Sequence, residues 1–160
     1  MAINVELENL YYDDQKEREN MDELNLSWKD LRHNDEQRLA RVKELLPKID
    51  TNEIWNCHYL AFLLQHGKTT EDYKMAHEYA KRAVEMGSKV TKWLFAATLD
   101  RVLTSQGMLQ KYGTQFEKVD GKWRQLPVDD EISDRERTEY GVPPLKDALK
   151  VFEDKYSRRD

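Results

Sequence analysis

TNEIWNCHYLAFLLQHG, residues 51–67, carries the longest apolar run of the chain, Tyr59 to Leu64, between a helix start and a helix stop. Thr51 and Asn52 favour the N-cap, where a side-chain oxygen accepts an otherwise unpaired backbone N–H, and Gly67 is a C-terminal stop. Trp55, Tyr59, Phe62, Leu63 and His66 fall on one stripe between them. The run is too short to cross a bilayer, so the segment is expected to be a helix packed within a domain.

The flanking segments keep the helical period. Thr69 and Asp72 read as the start of a helix to Met86, with Tyr73, Ala76, Ala80 and Ala83 on one face before Gly87. Val90 to Gln106 is the next. Ala76, Ala80, Ala83, Ala96 and Ala97 allow close helix approach, and Leu60/Leu94 and Gly67/Gly107 recur 34 to 40 residues apart, a tetratricopeptide-like rhythm. Upstream, Val5 to Met21 is expected to be helical with Asp14 and Arg18 spaced i,i+4. Ser27 and Asp30 form a capping box before a short helical turn, and Asp35 to Leu46 is a second long helix stopped by Pro47.

After Gly107 the pattern changes. Tyr112 to Phe116 reads as extended, and Asp120-Gly121 between residues 117–119 and 122–124 signals a two-residue hairpin with a type I′ turn. A helical turn is expected around Ser133 to Thr138, and Pro143-Pro144 precede a last helix with Leu145, Ala148, Leu149 and Phe152; residues beyond Tyr156 are expected to fray. The expectation is one mainly α domain over 1–160, with about six helices, a tetratricopeptide-like central helical hairpin and a small C-terminal β-hairpin. It divides into helical 5–107, the 112–126 segment with the β-hairpin, and a C-terminal loop and helix at 127–156.

At 160 residues a single domain buries about 70% of its unfolded surface. Charged residues make up 36% of the chain and the net charge is −5, which offers no global positive field for nucleic acid or anionic lipid. Cys57 stands alone, and the first thirty residues lack the apolar core of a signal peptide, so a cytoplasmic setting with no membrane partner is expected. No Gly-rich phosphate loop occurs, and the four histidines have no metal-ligand spacing, so neither metal nor cofactor is expected.

Gln65-His66-Gly67, Asp100-Arg101 and Tyr112-Gly113-Thr114-Gln115-Phe116 come in this order and spacing. With them stand Asp14-Gln15 and Arg18, Asp35 and Arg38, Trp93-Leu94, Gln110, Asp134-Arg135 and the run Gly141 to Leu145. Together they resemble an uncharacterised family of small bacterial proteins. The resemblance implies a residue pattern over nearly the whole chain and no reaction. Leu109 departs from it, standing where the pattern has Pro.

The polar residues that could carry chemistry lie beside apolar rows. His66 is about 20° from Trp55 around the helix, so it is expected to face inward, as a structural partner or as a general base. Asp100 and Arg101 diverge by about 100° and each needs a partner on another helix, for which Asp14, Arg18, Asp35 and Arg38 are candidates. Gln110, Tyr112, Thr114 and Gln115 form either a hydrogen-bonded plug or the polar wall of a pocket.

Two function classes follow. In the first, a small-ligand site, hydrolytic in one form, acts on a small polar or anionic compound, a carboxylate or phosphate. His66 is the base and Asp100 orients it, Arg18 and Arg101 hold the anion, and Gln110, Tyr112 and Gln115 fix the ligand. In the second, the helices form an adaptor surface for a protein partner. The inward placement of the unusual residues favours the first.

Overall fold

The computed structural model describes residues 2–156, so the expected fraying beyond Tyr156 lies outside the described residues. Among these residues the helices are α1 (Val5–Glu19), α2 (Trp28–Leu45), α3 (Ile54–Leu64), α4 (Thr70–Glu85), α5 (Lys92–Ser105), α6 (Asp134–Glu139) and α7 (Leu145–Tyr156). A 3₁₀ turn at Leu46–Lys48 follows α2, and strands β1 (Phe116–Val119) and β2 (Lys122–Gln125) form the hairpin.

The quoted segment becomes α3, which is enclosed on nearly every side: Asn56 through Ala61, Leu63 and Leu64 are all buried. Its neighbours are α1, α2, α4 and, more narrowly, α5. A helix surrounded in this way has no single apolar stripe. Trp55, expected to mark the inward face, is 42% exposed. The cap also differs, because Glu53 rather than Thr51 or Asn52 accepts the Trp55 N–H.

Other starts follow the expected capping chemistry. Ser27 and Asp30 close a reciprocal box, but the helix it opens runs unbroken to Leu45 instead of stopping after a turn, since no Gly or Pro interrupts 28–45. Thr69 with Asp72 and Ser133 with Glu136 cap α4 and α6 in the same way. The last of these raises the helix number to seven, because the turn expected at 133–138 closes into a short helix.

α4 runs antiparallel to α5: Thr70 Oγ1 donates to Ser105 Oγ at 2.9 Å, and the His77 ring lies 3.0 Å from Thr98 Oγ1. Ala76, Ala80, Ala83, Ala96 and Ala97 are fully buried, so small side chains do bring these helices together. The main core joins Leu7, Val42, Leu45, Tyr59, Leu60 and Leu64 from the first three helices. Smaller clusters join Ala61, Ala80 and Leu94, and Ala96, Tyr112 and Val142.

The hairpin pairs Phe116 with Gln125 through Val119 with Lys122, leaving Asp120 and Gly121 at the turn with φ of 50° and 77°. Both central residues thus take the positive φ of a type I′ turn. α7 covers it: the Phe116 and Phe152 rings stack at 4.1 Å and Trp123 meets Phe152 edge-on at 4.8 Å. No helix among the described residues is long and apolar enough to cross a membrane.

Candidate functional site

The expected inward polar residues separate into three groups. The first is an ionic lattice joining α1, α2 and the end of α3. Asp14 is wholly enclosed, and Arg18 reaches it at 3.1 Å while also meeting Asp35 at 2.8 Å. Arg38 lies 2.9 Å from both Asp35 and Glu17, and 3.5 Å from Asp14. His66 joins from the end of α3, with Nε2 buried 3.7 Å from Asp14 Oδ1. Burial works to raise the Asp14 pKa, but His66 and Arg18 outweigh it and hold the carboxyl well below its usual range. Burial lowers the His66 pKa, against the pull of Asp14, so the ring is neutral at pH 7.

The second group supports the loop after α5. Asp100 is completely buried; its Oδ1 accepts the backbone N–H of Lys111 at 2.8 Å and of Tyr112 at 3.0 Å. Its Oδ2 accepts the Thr114 N–H at 3.0 Å and the Thr114 hydroxyl at 2.7 Å. Four donors leave this carboxylate no capacity to orient His66, the role expected of it; Asp14 is the carboxylate beside His66. The buried Gln110 donates from Nε2 to the carbonyls of Gln115 and Leu126 and accepts the Gln115 N–H at Oε1. That is a plug, with both amide hydrogens and the carbonyl oxygen in hydrogen bonds. Tyr112 packs against Phe95 and Tyr140, and burial pushes the pKa of its hydroxyl up to about 12.

The third group is a cavity of about 380 Å³ between α5, the loop at 113–116, the hairpin and α7, within the ~300–1,000 Å³ range of small-molecule sites. Arg101, Thr114, Gln115, Lys155 and Tyr156 bring polar groups to its lining, and Phe116, Trp123 and Phe152 contribute rings. Arg101 has no carboxylate within 4 Å among the described residues, and its buried Nε has no hydrogen-bond partner. Its guanidinium carbon is 5.9 Å from the Tyr73 ring centre. Burial lowers its pKa, as expected for a cation drawn from water without a full counter-charge.

Of the residues expected in one site, the structure therefore brings together Arg101 and Gln115. Arg18 and His66 belong to the ionic lattice, and Asp100, Gln110 and Tyr112 build the wall behind the cavity. The partners expected for Asp100 and Arg101, namely Asp14, Arg18, Asp35 and Arg38, pair with one another. Trp123 and Phe152 are lining residues that sequence reasoning misses; their only signal there is the aromatic content of the hairpin and the last helix. Cys57 is buried, its thiol donates to the Thr51 carbonyl at 3.2 Å, and burial raises its pKa to about 11, which suits a core residue. Among the described residues no group of three or more His, Cys, Asp or Glu is arranged to hold a metal ion.

The chain belongs to a family of unknown function, DUF6624, which matches residues 36–159. The matched span holds His66, Asp100, Arg101 and the whole cavity lining, and leaves Asp14 and Arg18 outside it. No curated protein and no solved structure matches the chain.

Proposed function

We propose that the protein binds a small anionic compound, a carboxylate or a phosphate, at Arg101 in the cavity between α5 and α7. The observation that carries this reading is the guanidinium itself: a largely enclosed charge that lines a cavity and has no carboxylate within 4 Å among the described residues. An enclosed charge with no carboxylate beside it among the described residues costs stability, and a ligand anion offsets that cost. Binding is favoured over hydrolysis because His66, the expected base, does not line the cavity and turns Nε2 toward Asp14. A thermal-shift titration with acetate and with inorganic phosphate tests it. The expected result is a rise in melting temperature in wild type that Arg101→Gln abolishes; a rise that persists undiminished in Arg101→Gln refutes the reading.

An adaptor role is the second reading, supported by the groove at Tyr12, Trp55, Val90 and Trp93, all exposed. A tetratricopeptide-like character, supported by the antiparallel, Ala-lined packing of α4 and α5, goes with it. The bacterial origin implied by the motif pattern and a cytoplasmic setting, supported by the single unpaired Cys57, belong to the same proposal.

A further inference from the structure

We infer that the anion taken at Arg101 is a monocarboxylate carried on an aromatic body. The inference rests on the reading of this cavity as an anion site and adds the charge and the shape of its occupant.

The charge follows from which donors remain. The Thr114 N–H and hydroxyl are both spent on Asp100. Gln115 Nε2 donates to Thr114 Oγ1 at 3.0 Å and to the Ala97 carbonyl at 3.4 Å, and Gln125 Nε2 donates to the Gly113 carbonyl at 2.9 Å. The Arg101 guanidinium is the strong donor left on this wall, and its planar fork matches the two oxygens of one carboxylate. Lys155 also lines the cavity, but its side chain is exposed and its Nζ lies 5.8 Å from the Trp93 ring centre, so solvent screens its charge. The enclosed Asp100 carboxylate directly behind Thr114 adds a negative charge that penalises a dianion more than a monoanion.

The shape follows from the apolar part of the lining. Phe116 and Phe152 stack at 4.1 Å, Trp123 stands edge-on to Phe152, and Val142 completes an apolar surface. A cavity of about 380 Å³ is far larger than an acetate-sized ion needs, given a water's share of liquid volume of ~30 Å³. A small ion leaves these rings in water, whereas an aromatic ring removes them from it and gains edge or offset stacking as well.

The test is calorimetry on the full chain with four probes: acetate, phenylacetate, its neutral analogue phenylacetamide, and inorganic phosphate. Phenylacetate is expected to bind at least about tenfold tighter than each of the others, about 1.4 kcal/mol. Trp123→Ala is expected to bring phenylacetate down toward acetate and leave acetate unchanged, with Trp123→Leu as the readout if the Ala variant does not fold. Arg101→Gln is expected to remove the preference for phenylacetate over phenylacetamide. Equal affinity for acetate and phenylacetate, or tighter binding of phosphate, overturns the inference while leaving an anion site at Arg101. Absence of binding by all three anions, or equal binding of phenylacetamide, overturns the anion reading and the inference together.

Discussion

Asp100 and Arg101 are consecutive on α5 and have opposite electrostatic fates: the carboxylate is enclosed with four donors upon it, and the guanidinium faces a cavity with no carboxylate within reach among the described residues. Adjacent helical positions point about 100° apart, so one turns toward the following loop and the other toward α4 and the cavity. By fixing that loop, Asp100 shapes the cavity wall beside the Arg101 guanidinium.

That contrast sets the order of two arginine variants. Arg38 sits among the buried Asp14 and the half-buried Glu17 and Asp35, so Arg38→Gln strands these carboxylates and is expected to cost about 3–5 kcal/mol. Arg101→Gln removes a charge with no such partner and is expected to be neutral or stabilising, within about 1 kcal/mol. Urea unfolding of both variants measures this; a greater loss for Arg101→Gln contradicts the absence of a counter-charge argued for it among the described residues.

Asp100→Asn is expected to loosen the loop without unfolding α1 to α3. An amide can keep the two acceptances at one oxygen but presents N–H groups to the Thr114 donors, for a loss of about 3 kcal/mol. Faster amide hydrogen exchange at Lys111, Tyr112 and Thr114, with little change in the α3 amides, is the expected pattern.

The pH dependence follows from three histidines. Burial holds His58, His66 and His77 below the ordinary 6.5, and for His66 the Asp14 carboxylate does not reverse this. The unfolded chain therefore binds more protons than the folded one below pH 6.5. Their contribution is fully present above that pH and is lost as pH falls toward the depressed values. Melting temperatures at pH 7.5 and 6.5 are expected to be close and that at pH 5.5 lower, with His77→Gln flattening the fall; a melting temperature that rises on acidification refutes it.

Two glycines differ in what they protect. A Cβ on Gly67 would lie 2.3 Å from the Cβ of Asp72, the residue that caps α4 and pairs with Lys43 at 2.5 Å. Gly121 has open space around it, so Gly121→Val carries only the backbone cost of a φ of 77°, about 1–2 kcal/mol. Gly67→Ala is expected to lower the global melting temperature more than Gly121→Val, whose effect on circular dichroism stays with the hairpin and spares the helices.

Local rules made most of the fold legible in the sequence: the boxes at Ser27 and Thr69, the stop at Pro47, the alanines of α4 and α5, and the Asp120-Gly121 turn all act within a few residues of themselves. The Asp14–Arg18 spacing was legible for the same reason, since i and i+4 meet on any helix. What sequence spacing could not decide was which face of α3 is inward, because burial there comes from neighbours on nearly every side and leaves Trp55 out. Nor could it assign partners to the buried charges. Whether His66 meets Asp14 or Asp100, and whether Arg101 meets a carboxylate at all, depends on how helices distant in sequence are set against one another, and Coulomb attraction acts on those distances alone.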